Sequence, residues 1–113
     1  KQMTINFIKK MNKIGKKIFL YGASTKGNTL LQYYGLTSKE IPYAAERSKT
    51  KWGKYTIGSG VKIISEENAR KLKPDYFFVM PYGFIKEFLI REKKWLKKGG
   101  KFLLPYPKLK IVK

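Results

Sequence analysis

The stretch YGASTKGNTLL, residues 21–31, links a short apolar run to a segment with helical spacing. The apolar run KIFLY, residues 17–21, is typical of a buried strand. After the turn, residues 28–34 predict a helix whose leucines and second tyrosine face inward, with Gly35 as its C-terminal stop. A strand, a glycine-bounded turn and a helix in this order favour an α/β domain.

The rest of the chain continues this alternation of strands and helices. Further strands are predicted at residues 41–46, 61–64, 75–80 and 101–104. One helix is predicted to follow Ser65, which would cap it, and another runs from residue 85 to the glycine pair at 99–100. We therefore expect an α/β fold. It would be a single Rossmann-like three-layer domain, with a mostly parallel five-stranded sheet in the order 3-2-1-4-5 and helices on both faces.

An amphipathic segment precedes the first strand. Residues 3–14 carry apolar side chains at helical spacing and predict a helix that ends at Gly15. We assign residues 1–14 to a leading or linker helix and residues 15–113 to the Rossmann-like domain. Because the chain opens in the middle of the amphipathic pattern, we expect it to be part of a longer protein.

A long segment without helical period, residues 47–60, joins the second and third predicted strands. Loops of this length in a small domain are often functional. Trp52 and Tyr55 on this loop would either stack on a ligand or fold back onto the edge of the sheet, and we favour the edge.

The composition excludes several classes of protein. The 113 residues are 42% hydrophobic, which suits one folded domain. The absence of cysteine and histidine excludes disulfides, thiolate and imidazole metal ligands, and the commonest general base. No apolar run reaches the ~20 residues that a membrane span needs, so we expect no membrane partner and a cytoplasmic location.

The net charge of +19 indicates a general attraction to anions such as phosphates. Lysine accounts for 23 of the 26 basic residues, whereas proteins that read bases favour arginine. A lysine-rich solvated surface explains most of this charge. A basic nucleic-acid-binding module remains an alternative.

Two catalytic glycine motifs do not fit the turn GASTKGN, residues 22–28. A Walker A loop has lysine and then Ser or Thr after its second glycine, whereas Asn28 follows Gly27 here. A nucleophile elbow needs glycine where Lys26 stands, and a histidine base that the chain lacks. The ATPase and hydrolase interpretations therefore both fail.

The dinucleotide-binding fingerprint fits the turn in part. Gly22 and Gly27 match its first and last glycines, but Ser24 replaces the middle one. Glu46, at the end of the second predicted strand, stands where an acid that binds ribose would stand. A degenerate NAD-binding regulatory domain is therefore a further alternative.

The general interpretation of the turn is a site for a phosphate or a sugar hydroxyl. Backbone N–H groups at the helix start, the hydroxyls of Ser24 and Thr25, and Lys26 would suit such a group. A lysine at a helix N-terminus is also unfavourable unless an anion is near. The alternative is that the glycines serve only the tight turn. Glu46 would accept from a ligand hydroxyl or pair with a neighbouring cation.

Four blocks of the sequence together resemble the C-terminal domain of SAM-dependent sugar C-methyltransferases, which methylate a carbon of a nucleotide-activated deoxyhexose. The resemblance runs from about Gly15 to Pro107. The blocks are YGASTKGNTLLQYYG (21–35), YTIGSGVKIIS (55–65), PDYFFVMPYGF (74–84) and GGKFLLPYP (99–107).

The resemblance implies a three-part enzyme, in which a zinc-binding domain and a SAM-binding methyltransferase domain precede this one. It implies that this chain holds no catalytic residue and binds no cofactor, because SAM and zinc belong to the upstream domains. Its partners would be the upstream methyltransferase domain and an anionic, sugar-nucleotide-like substrate. The substrate-binding residues would be Gly22, Ala23, Ser24, Thr25, Lys26, Gly27, Asn28, Glu46 and Tyr82.

Overall fold

The structure, a computed structural model, describes residues 1–22, 25–79, 85–105 and 109–113, without the side chains of residues 25–27. Within these residues the chain forms a mixed six-stranded sheet between two layers of helices. The expected α/β class is confirmed. None of the described helices is long and apolar enough to cross a membrane.

The sheet has the strand order β3-β2-β1-β4-β5-β6. The pairs from β3 to β5 are all parallel, and β6 runs antiparallel to β5. The strands are β1 (Ile18–Tyr21), β2 (Tyr43–Glu46), β3 (Lys62–Ser65), β4 (Tyr76–Phe78), β5 (Lys101–Leu104) and β6 (Lys110–Val112).

The prediction of five strands was wrong by one, because it stopped at β5. Strand β6 has three residues, and Val112 is the one that packs partly against the core. Its register places Ile111 opposite Leu103, yet Ile111 is 42% exposed. Such a short edge strand is held mainly by backbone hydrogen bonds, so its sequence carries little of the apolar pattern that reveals a buried strand.

The described ranges contain a short 3-10 helix at Lys49–Lys51 and five α-helices: α1 (Gln2–Lys13), α2 (Thr25–Tyr34), α3 (Glu66–Lys71), α4 (Ile85–Arg91) and α5 (Lys93–Lys97). The predicted cap of α3 is confirmed, because Ser65 Oγ accepts a hydrogen bond from the Asn68 N–H at 3.0 Å. The single helix expected after residue 85 is instead divided at Glu92 into α4 and α5.

The helices cover both faces of the sheet. On one face, Ile8 of α1 and Leu31 of α2 are fully buried against side chains of the sheet. On the other face, Ala69 of α3, Phe88 of α4 and Trp95 of α5 pack against a mostly aromatic layer. Strands β1 to β5 therefore supply apolar side chains to both faces, as expected of a parallel sheet that helices cover on both sides.

The segment between β2 and β3 folds back onto β3, which is an edge strand. The Gly53 N–H donates to the Ile63 carbonyl and the Ile63 N–H donates to the Lys54 carbonyl, both at 2.8 Å. Trp52 Nε1 donates to the Glu46 carbonyl at 2.7 Å, and Tyr55 pairs with Lys62. The expectation that the loop folds back onto the sheet edge is confirmed for Tyr55, whereas the indole of Trp52 lies at the end of β2.

Candidate functional site

The ends of β1, β2 and β3 meet at the carboxyl edge of the sheet. The register pairs Tyr21 with Ala45 and Glu46 with Ser65. The N–H of Gly22 then donates to the Ala45 carbonyl at 2.7 Å. This is the edge at which open parallel sheets bind their ligands. The structure thus brings Gly22 and Glu46, two predicted site residues, to neighbouring strand ends.

Gly22 adopts a backbone conformation that favours glycine, with a φ of +89°. A Cβ built at this position would meet no other atom within 4 Å. The backbone dihedral, rather than crowding, therefore explains the glycine. The chain can turn sharply there, directly after the buried end of β1.

Helix α2 starts at Thr25, three residues earlier than the sequence predicted. Its first turn includes the backbone of Lys26 and Gly27, whose side-chain surroundings lie outside the described residues. The predictions for Ala23, Ser24 and Tyr82 also fall outside them. The first turn of α2 nevertheless follows the carboxyl end of β1, where backbone N–H groups have no partner within the helix.

Asn28 is half-buried and connects α2 to the loop before β3. Its Oδ1 accepts a hydrogen bond from Ser59 Oγ at 3.1 Å, and Ser59 Oγ also bonds to Thr56 Oγ1. One turn later, Gln32 Nε2 donates to the Ile57 carbonyl at 3.1 Å. The amide of Asn28 therefore orders the loop, a contact that the sequence did not predict.

Glu46 has a local role at the end of β2. One carboxylate oxygen accepts a hydrogen bond from the Ser48 N–H at 2.8 Å, and its carbonyl accepts from the indole of Trp52. Both contacts shape the start of the loop at residues 47–60. The same residue also lines a groove.

The groove, of about 470 Å³, lies between the ends of β2 and β3 and the start of α3. Carboxylates accept hydrogen bonds from hydroxyls, an indole face packs on a ring, and cations attract phosphate. The groove offers all three kinds of group. They are provided by Glu46, Arg47, Trp52, Glu66, Glu67 and Lys71.

A cluster of polar side chains, which we call the Tyr21 cluster, lies behind this groove. It consists of Tyr21, Glu66, Arg70, Arg91 and Glu92. Tyr21 Oη donates to Glu92 Oε2 at 2.7 Å and accepts from Arg91 Nε at 3.0 Å. Arg70 donates to both oxygens of Glu92 at 2.7 and 2.6 Å. Glu66 bridges Arg70 and Arg91, at 3.3 Å from each.

The two carboxylates and two guanidinium groups of the Tyr21 cluster balance each other. The side chain of Glu92 is fully buried. Burial acts to raise its pKa, but hydrogen bonds from Arg70 and Tyr21 outweigh burial, so the pKa is lowered and the carboxylate stays charged. Burial and the contact with Glu92 raise the pKa of Tyr21, so the phenol stays neutral. The hydrogen bond to Glu92 raises the pKa of Arg70.

One signal in the sequence points to this cluster. Glu92 follows Ile85, Phe88 and Leu89 at helical spacing, which puts a charge on the inward face of the predicted helix. A buried carboxylate needs a cationic partner. The partners, Arg70 and Arg91, could not be chosen from the sequence, because a contact between α3 and α4 depends on how the two helices pack.

The resemblance implies a zinc site in the wider protein, and the residues of this chain do not suit such a site. The sequence has no cysteine and no histidine. Across the described ranges, no group of three or more acidic side chains lies close enough to hold a metal ion. The zinc and SAM sites stay expectations about residues outside this chain.

The sequence was compared with known families and proteins. Residues 1–107 match the family described as the C-methyltransferase C-terminal domain. The C-methyltransferase NovU of Streptomyces niveus is 36% identical over 98 residues. That alignment covers 87% of this chain and 23% of the relative, so the chain spans about a quarter of the length of the curated relative that it matches.

Proposed function

Because the chain belongs to the C-methyltransferase C-terminal domain family, we propose that it is the substrate-side domain of a SAM-dependent C-methyltransferase. In this proposal an upstream domain of the same protein transfers the methyl group, which SAM supplies when it is bound there. The relative is about four times longer than the matched segment, which leaves room for such a domain. A cytoplasmic location belongs to the same proposal.

We propose that the substrate is anionic and rich in hydroxyls, as a sugar nucleotide is. The observation that carries this proposal is the position of Gly22, Glu46 and the groove at one carboxyl edge of the sheet. The net charge of +19 favours anionic ligands in general. The groove adds carboxylates and an indole, which a site for a bare phosphate does not need.

Each part of the site has a proposed role. The turn at residues 22–28 and Tyr82 would bind the phosphates and the nearer sugar, with backbone N–H groups of α2 as donors. Glu46 would accept a hydrogen bond from a sugar hydroxyl at the groove that it lines. Trp52, which is 38% exposed, would cover one face of a ring. These contacts bind and orient the substrate and leave the chemistry to the neighbouring domain.

The proposal is tested by titrating the 15N-labelled chain with thymidine diphosphate, UDP-glucose, inorganic diphosphate and SAM. We expect the nucleotides to shift the amide resonances of Gly22, Asn28 and Glu46. SAM should not bind tightly. Tight binding of SAM, or no response to either nucleotide at millimolar concentration, would refute the substrate-side role. Equal responses to diphosphate and the nucleotides would refute the sugar-nucleotide class.

A matched pair of variants locates the site. Glu46→Gln removes the charge at the groove, whereas Glu87→Gln removes a charge from the exposed surface of α4. We expect weaker binding of UDP-glucose to the first variant and unchanged binding to the second. The same affinity in both variants would exclude Glu46 from the site.

A further inference from the structure

We propose that Tyr21, Arg70 and Arg91 are positioning residues, which hold Glu66 and the end of β1 in fixed places beside the groove. This inference rests on the proposed function, because it takes the groove as the place where the substrate binds. It goes further by assigning a role to three side chains that do not line the groove themselves.

Glu66 is the point at which the Tyr21 cluster reaches the groove. It lines the groove, although its side chain is only 13% exposed. One carboxylate oxygen accepts from Arg70 of the same helix and the other from Arg91 of α4, each at 3.3 Å. Two donors on two helices fix the plane of a carboxylate, so the two arginines set how Glu66 faces the groove.

The arginines are themselves held from behind. Arg70 makes a two-pronged contact with the buried carboxylate of Glu92. Arg91 donates to Tyr21 Oη and its guanidinium lies 5.4 Å from the centre of the Tyr21 ring. Tyr21 in turn packs against three further rings, with centroid distances of 4.8 to 5.4 Å, which belong to Phe77, Phe88 and Phe102. A group packed in this way has little freedom to move.

Tyr21 also controls the first residue of the turn. It is the last residue of β1, and its neighbour Gly22 donates its N–H to the Ala45 carbonyl. A shift of Tyr21 is passed to Gly22 through one peptide bond. The same phenol thus anchors Gly22 directly and Glu66 by way of Arg91, so two parts of the proposed site share one anchor.

The test compares Tyr21→Phe with Tyr76→Phe in the full chain. Tyr76 is an equally buried tyrosine at the start of β4, and its hydroxyl contacts Met11 Sδ at 3.7 Å. Without ligand, we expect Tyr21→Phe to speed amide hydrogen exchange at Gly22 and at residues 66–70 by about threefold to thirtyfold. Tyr76→Phe should leave these amides unchanged. Equal rates at these amides in the wild type and Tyr21→Phe would overturn the inference.

A second measurement, the affinity for a nucleotide, tests whether the positioning residues affect ligand binding. Tyr21→Phe should weaken the binding of UDP-glucose, and Arg91→Lys should do the same because lysine lacks the guanidinium fork. If amide exchange is faster in Tyr21→Phe but the wild type binds no nucleotide, the positioning role is supported and the proposed function is refuted. Full nucleotide affinity in both variants would refute the positioning role alone.

Discussion

Arg70 donates two short hydrogen bonds to Glu92, from Nε to Oε1 at 2.7 Å and from Nη2 to Oε2 at 2.6 Å. The carboxylate is fully buried, whereas about a third of the arginine side chain is exposed. Glu92 lies between the end of α4 and the start of α5, and its contact with Arg70 connects this junction to α3.

The first prediction concerns the strength of this contact. Glu92→Gln leaves Arg70 facing a neutral amide, so we expect the free energy of unfolding to fall by about 3 kcal/mol. Glu67→Gln is the control, because Glu67 pairs with Lys71 on the exposed surface of α3, the helix that carries Arg70. It should change the free energy by less than about 0.5 kcal/mol. Urea unfolding measures both, and equal values for the two variants would contradict the prediction.

The second prediction is a dependence of stability on pH. The folded-state pKa of Glu92 lies below its ordinary value of 4.5, so its contribution is present above that value and is lost as the pH falls through the folded pKa. We expect the melting temperature of the wild type to fall more steeply below about pH 4.5 than that of Glu92→Gln. Thermal unfolding between pH 7 and 3 measures this difference. Parallel curves would show that Glu92 is not responsible.

The third prediction concerns the turn after β1. Gly22→Ala forces an L-residue to a φ of +89°, which should cost about 1–2 kcal/mol of stability. Because no atom occupies the space of the added Cβ, Gly22→Asn should be less harmful, since asparagine tolerates this conformation better. Chemical unfolding of the two variants gives the comparison. An alanine variant as stable as the wild type would mean that the turn has another conformation in solution.

The fourth prediction concerns close packing at the start of β5. A Cβ at Gly100 would collide with the ring of Trp95, whose Nε1 donates to the Pro74 carbonyl at 2.9 Å. Gly100→Ala should therefore displace the indole and destabilise the fold by about 1–3 kcal/mol. Fluorescence in a Trp52→Phe background reports on Trp95 alone, since the chain has two tryptophans. An unchanged emission spectrum would contradict the expected displacement.

The sequence predicted most of the sheet, because strands such as β1 and β4 are buried on both faces and read as continuous apolar runs. The alternation with helices and the rule of right-handed crossovers then predicted that β2 and β4 pair with β1, as the structure shows. The cap at Ser65 followed from local residue preferences. Strand β6 was not predicted, because backbone pairing rather than side-chain burial keeps it in place.

The candidate site was less accessible to sequence reasoning. Gly22 and Glu46 could be assigned to strand ends, because strand ends follow from the apolar pattern. The hydrogen bond between Asn28 of α2 and Ser59 of the loop before β3 joins residues that are 31 positions apart, so the sequence offers no spacing rule for it. The Tyr21 cluster depends on the packing of three helices, which composition and periodicity do not determine.

The parallel part of the sheet is flanked on both sides by short antiparallel segments. Residues 53–56 return along β3, and β6 pairs with β5 on the other side. An uncovered parallel margin would offer a row of unsatisfied N–H and C=O groups to any other extended chain. Strand β6 is itself only three residues long and begins with a lysine, which makes it a poor template for further growth of the sheet. Short edge segments of this kind disfavour the addition of further strands from another molecule.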